Sequence, residues 1–156
     1  NQFKCEVEET PTEIIWKLSG EFDEHASLGS IDKSKALVIN FRKVSLINSY
    51  GIRIWSKWMN ENKDYANLFF DECPFIFVKN FGLINGFIST NVVVRSFFVP
   101  FINETTEERK DVLFHIGEDY EINGFLRLPD VKDSKGEYME LDVNPTKYFS
   151  FLKRKL

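Results

Sequence analysis

The residues able to do chemistry gather at one short stretch, Asn48-Ser49-Tyr50-Gly51, where two good helix N-cap types precede an amphipathic segment. The first turn of a helix exposes unpaired backbone N–H groups and carries partial positive charge, so it favours carboxylates or phosphate. A phosphate on Ser49 would change the local charge by about −1.5 to −2 and would either cap the helix or repel an acidic partner. The plainer expectation is that the Ser49 hydroxyl caps the helix.

Elsewhere the reactive types are scattered. His25 and His115 lie far apart, and neither sits in an HExxH pattern or beside a carboxylate at metal-ligand spacing. Cys5 and Cys73 form no CxxC pair and read as free thiols of a reducing compartment. Cys73 precedes Pro74 at an expected helix start, where thiolate character is favoured, but cysteine is among the most buried residue types, and an inert buried thiol is the expectation. Glu21, Asp23 and Glu24 cluster on one loop and are read as solvated. Gly82 and Gly86 match neither the dinucleotide nor the P-loop spacing. A chain without catalysis, cofactor or metal is expected.

These residues must be positioned by a chain of 156 residues with a formal charge of −4, 43% hydrophobic and 28% charged. That is a soluble globular composition, long enough for a real core, with no overall positive field to hold a nucleic acid. The 16 Phe, 3 Trp and 5 Tyr exceed what a short chain readily hides, so some are expected at a contact surface. Residues 1–10 are acidic and polar with no apolar leader, and the run 92–102 is broken by Arg95, Ser96 and Pro100 and too short to span a bilayer. A cytoplasmic protein is expected, in which the sequon Asn103-Glu104-Thr105 has no role.

Residues 13–22 read as a strand ending in the acidic loop, and 25–32 as a short helix. Residues 36–41, Ala-Leu-Val-Ile-Asn-Phe, read as the central strand, covered on both faces in a parallel sheet. After the N-cap pair, Ile54, Trp55, Trp58 and Met59 fall at helical spacing, with Arg53, Ser56, Lys57 and Asn60 on the other side. Leu68-Phe69-Phe70 gives another strand. Pro74 opens a second helix whose apolar face is Phe77, Phe81, Ile84 and Ile88, and residues 92–99 return to a strand. The alternation predicts an α/β fold: a sheet of four to five largely parallel strands with helices packed against it. Beyond Pro100 the turn signals Asn123-Gly124 and Ser134-Lys135-Gly136, followed by Asn144-Pro145 as cap and first-turn proline, predict a small β-rich appendage with a C-terminal helix ending in Lys153-Arg154-Lys155. The expected division is 1–102 and 103–156, the second part packed on the first.

The segment Ala-Leu-Val-Ile-Asn-Phe-Arg-Lys-Val-Ser-Leu-Ile-Asn-Ser-Tyr-Gly-Ile-Arg-Ile-Trp, from Ala36 to Trp55, together with Leu18-Ser19-Gly20-Glu21-Phe22-Asp23, resembles the signature of the STAS family, shared by sulfate transporters and anti-sigma factor antagonists. The resemblance covers roughly residues 13–99. It implies a non-enzymatic interaction module of bacterial signalling that docks a protein partner, such as a kinase-type anti-sigma factor, near the helix start. The positions carried over are Asp23, Asn48, Ser49, Tyr50, Gly51 and Arg53. In many members the serine directly before the glycine is phosphorylated to switch binding off. Here that position is Tyr50, Asn48 replaces the acidic residue of the motif, and Ser49, which matches the neighbouring serine, is the candidate phosphoacceptor. Tyr50 is expected either to anchor the partner or to pack under the appendage.

A second likeness is to STAS-containing proteins followed by a zinc-ribbon-like segment, carried by Phe98-Val99-Pro100-Phe101, Gly136-Glu137-Tyr138-Met139-Glu140 and residues 147–152. Zinc ribbons need paired cysteines, and none follows Cys73. A degenerate, metal-free ribbon held by Phe114, Phe125, Leu141, Phe149 and Leu152 is the expectation. The alternative function is a small-molecule or lipid-binding subunit whose Phe side chains line a pocket between helices and sheet.

Overall fold

The computed structural model describes residues 1–153; Arg154 and Lys155 of the basic triplet lie outside the described residues. The chain is mixed α/β. Strands β1 (Lys4–Glu9), β2 (Glu13–Phe22), β3 (Ala36–Ile47), β4 (Leu68–Asp71) and β5 (Val93–Val94) form a sheet in sequence order. β1 is antiparallel to β2, and the other neighbours are parallel. β6 (Ser96–Ile102), β7 (Arg109–His115) and β8 (Glu140–Leu141) make a second, antiparallel sheet in the order β7-β6-β8. The helices are α1 (Ser49–Glu61), α2 (Phe75–Phe81) and the single turn α3 (Pro145–Tyr148), which runs into a 3₁₀ turn at Ser150–Lys153. No helix among the described residues is long and apolar enough to cross a membrane.

β3 is the middle strand, as its unbroken apolar run predicts, but the helices cover only one of its faces. Alternation along the strand sends Leu37, Ile39 and Phe41 to the same side, where the rings of Trp55 from α1 and Phe77 from α2 lie 5.4 and 4.6 Å from that of Phe41. On the other face Ile15, Val38, Phe69 and Val93 line up across four strands. An arginine lies over this row instead of a helix. The Arg95 guanidinium sits 5.4 Å from the Phe69 ring and is held by two bonds of 2.7 and 2.6 Å to Asp71, with Glu13 at 3.8 Å.

Residues 25–32 form no helix. Asp23 takes the His25 N–H on its side chain and the Ala26 N–H on its carbonyl, closing a turn, and the chain then gives the Gly29 carbonyl to the Trp58 indole at 3.0 Å. α2 stops at Phe81, after seven residues and short of Ile84 and Ile88. The chain turns there because Phe87, fully buried against Trp55, Phe77 and Phe81, fills the core in place of a continued helical face. The run 92–99 is divided at Arg95 between the two sheets.

β6 starts beside the end of β4: Cys73 donates to the Ser96 carbonyl and receives the Phe98 N–H on its own. The expected division after Ile102 falls between β6 and β7, which pair over their whole lengths, and one apolar cluster runs from Trp16 through Phe97 to Leu152. Both glycine turns form, with Gly124 N–H to the Glu121 carbonyl and Gly136 N–H to the Asp133 carbonyl. Asn144 caps α3 by accepting from the Lys147 N–H, with Pro145 in the first turn. Phe114, Phe149 and Leu152 are buried as expected, but Phe125 is 59% exposed. Phe97, Tyr120, Tyr148 and Phe151 join them in the interior; the two tyrosine hydroxyls are satisfied by the Val94 and Phe98 carbonyls, both at 2.6 Å.

Candidate functional site: the first turn of α1

β3 ends at Ile47, and the chain enters α1 through Asn48, whose extended backbone and side-chain oxygen make it the N-cap. Asn48 Oδ1 accepts from the Gly51 N–H at 2.9 Å, and the Asn48 N–H donates to the Phe22 carbonyl at 3.2 Å. The end of β2 therefore meets the start of α1, and Asp23 directly follows the residue that joins them. Gly51 is buried at this junction. A Cβ built there would overlap the Phe22 carbonyl oxygen and fall 2.6 Å from its carbon.

The cap is thus Asn48, not Ser49. Both residues are good N-cap types in adjacent positions, and the pairing of Asn48 with Phe22 decides between them. Ser49 stands one residue inside the helix, exposed, its hydroxyl making no hydrogen bond to a described residue. Tyr50 is 53% exposed, so it does not pack under the C-terminal sheet; the Arg53 guanidinium lies 5.9 Å from its ring centre. Arg53 is exposed, and Asn48 and Asp23 are half-buried, the latter committed to the turn at His25. The first turn therefore presents a hydroxyl, an aromatic face and a guanidinium to solvent, and it holds no acidic side chain. Such a surface can bind carboxylate or phosphate groups at the helix end while the ring supplies apolar contact. Leu46, 46% exposed two residues before the cap, adds an apolar group that alternation alone did not single out.

Because no acid sits in this turn, Ser49→Glu is expected to stabilise the protein by about 0.3–1 kcal/mol at low ionic strength, relative to the uncharged Ser49→Gln. Urea denaturation of the two variants checks this. The gain should vanish in high salt, and equal midpoints at low salt would show the helix end to be already compensated.

The other chemical candidates are placed away from any shared centre. Cys73 is fully buried, and burial, reinforced by the Asp71 charge, pushes its thiol well above the ordinary range, so the nucleophilic thiolate is suppressed. Cys5, His25 and His115 are exposed on separate elements. Among the described residues no three His, Cys, Asp or Glu side chains are grouped to hold a metal ion. Asn103 is buried, its amide donating to Asp133 at 2.7 Å and Glu137 at 3.2 Å and its oxygen accepting from the Thr105 and Thr106 N–H groups, so the sequon is closed in the folded chain. Hydrogen bonding from Asn103 holds the Asp133 carboxyl below its usual range. Burial raises Glu72, but bonds from Arg42 and Asn40 outweigh it and leave its carboxyl lowered. Both are structural pairings. The interface between helices and sheet, where a ligand pocket was the alternative expectation, is filled by Phe22, Phe41, Trp55, Phe70, Phe77 and Phe87, all fully buried.

No protein-family model matches the chain, and no curated protein matches it. The exposed turn and its geometry are what bear on function.

Proposed function

We propose that the chain is a STAS-type interaction module of bacterial signalling, acting without catalysis in the cytoplasm and docking a protein partner through the first turn of α1. In this reading it acts like an anti-sigma factor antagonist, and a kinase-type anti-sigma factor is the partner class that follows. The observation carrying this reading is the exposure of Ser49, Tyr50 and Arg53 together on a turn whose backbone is fixed by Asn48 and Gly51. A fixed turn presents its groups at little entropic cost, and Tyr and Arg are the residues most enriched at binding hot spots. Ser49, unbonded and outward, is the phosphoacceptor by which binding would be switched.

A photo-crosslinking residue at position 50, introduced in cells of the source organism, should yield a discrete adduct with one protein, weakened by Arg53→Glu. The same residue in place of the exposed Tyr138 should not capture that protein. The purified partner should bind the Tyr50→Ala variant at least about tenfold more weakly, a loss on the order of 1.4 kcal/mol, with little change in melting temperature. Adducts from position 138 alone, or full affinity in Tyr50→Ala, would move the interface elsewhere.

A further inference from the structure

We infer that the surface where α2 meets α3 is a second docking surface, built for an acidic peptide segment with bulky apolar side chains. Three grooves adjoin there. One of about 520 Å³ lies between α2 and α3, shares Phe75 and Asp142 with a groove of about 360 Å³ beside β7, and shares Thr146 and Ser150 with one of about 590 Å³ on the far side of α3. Each has apolar lining: Phe75 and Leu83, 39% and 70% exposed, in the first, and Phe125, 59% exposed, in the third, while Phe75 also reaches the second.

Charge decides the kind of partner. The chain as a whole carries −4, yet these grooves are lined by five cations, Lys79, Arg109, Lys110, Lys147 and Lys153, against two acids, Asp111 and Asp142. Asp142 is already paired with Arg109. Lys79, Lys147 and Lys153 have no carboxylate partner among the described residues, and the Lys79 ammonium instead lies 5.5 Å over the Phe75 ring. An apolar floor with unmatched ammonium groups on its rim complements carboxylates interspersed with large apolar side chains. The concavity favours a peptide over a membrane: grooves separated by the ridge of α3 receive side chains one at a time, whereas binding to a bilayer buries apolar groups that project outward. A stacked nucleobase is disfavoured because the Phe75 ring is already flanked by Tyr148, stacked at 5.8 Å, as well as by Lys79.

The test is fluorescence anisotropy at low salt with a labelled synthetic peptide in which phenylalanine and leucine alternate with glutamate. A control peptide carries lysine for every glutamate. The intact protein should bind the acidic peptide, weaken with salt, and lose at least about tenfold in affinity on Lys79→Glu with Lys147→Glu, and again on Leu83→Ser. All three positions are exposed, so these variants should keep the native circular dichroism. Tyr50→Ala should bind normally, which separates this surface from the turn of α1. Equal binding of the lysine peptide, indifference to the charge reversal, or preferential binding to phosphatidylserine-containing vesicles would each overturn the proposal.

Discussion

Replacing Trp55 by alanine is expected to cost about 3–5 kcal/mol, at the upper end for core truncation and a large share of the 5–15 kcal/mol by which an ordinary domain is stable. Trp55 is fully buried, and its ring centre lies within 5.4 to 6.3 Å of those of Phe22, Phe41, Trp58, Phe70, Phe77 and Phe87. It is the point where α1, three strands, α2 and the chain after α2 all touch. Removing it opens a void lined by side chains from each of them, and none can collapse inward without leaving another contact. Its indole N–H donates to the Phe87 carbonyl at 2.7 Å, the bond that pins the chain after α2. Trp55→Phe, which keeps an aromatic ring but removes the fused pyrrole ring together with the donor, should therefore cost on the order of 1–3 kcal/mol, through the buried carbonyl left unpaired and the space the smaller ring vacates. Urea denaturation followed by near-ultraviolet circular dichroism would measure both. If alanine fails to fold, the phenylalanine variant still decides the matter: wild-type stability in Trp55→Phe would mean that the Phe87 carbonyl is solvated rather than held.

What could be read from the sequence follows from how local the cause is. The run Ala-Leu-Val-Ile-Asn-Phe made the middle strand legible, and the cap pair before Ile54, Trp55, Trp58 and Met59 made α1 legible, because burial and capping there depend on neighbours in the chain. The end of α2 was not legible: Ile84 and Ile88 keep the helical period, and only the tertiary demand for Phe87 beneath Trp55 ends the helix earlier. Nor was the split at Arg95. Arg95 and Ser96 interrupt the apolar run but do not signal a change of sheet, and the division comes from Asp71 holding the guanidinium and from Cys73 pairing with Phe97.

At the candidate site the same line can be drawn. Asn48 and Ser49 were legible as a helix start because capping is a local pattern, whereas Asp23, Gly51 and Arg53 joined them only through the resemblance. Which of Asn48 and Ser49 caps, and whether Tyr50 is covered, depended on where the end of β2 and the C-terminal sheet come to rest. Phe125 in the open and Phe97 inside are a further instance: the sequence puts Phe125 among the residues that hold the appendage, and only the pairing of β6 with β7 seats Phe97 there instead.

The remaining large effect is at Gly51, where the sign alone is informative. In the body of an ordinary helix, glycine to alanine stabilises by about 1 kcal/mol, because alanine loses less backbone entropy. At Gly51 the added methyl would overlap the Phe22 carbonyl oxygen and lie 3.1 Å from the Ile47 side chain, with backbone on one side and β3 on the other. The Ile47 side chain can give by a few tenths of an ångström, but the Phe22 carbonyl is backbone and cannot yield as a flexible side chain would. Gly51→Ala is therefore expected to destabilise by about 3 kcal/mol, at the top of the range for overpacking, which lowers the melting temperature by roughly 6–12 °C for a chain of this size. Gly29→Ala is the control, since a methyl there meets only the edge of the Trp16 ring at 3.8 Å and should change stability little. The consequence reaches the docking turn. To relieve the overlap, the start of α1 must move away from β2, breaking the Asn48 bond to Phe22 and shifting Ser49 and Tyr50 with it. In Gly51→Ala, partner capture from position 50 should then fall even below the temperature at which the chain remains folded. A stabilised variant would mean instead that β2 and α1 do not meet at this carbonyl, and the turn would lose the rigidity on which its role as a docking surface depends.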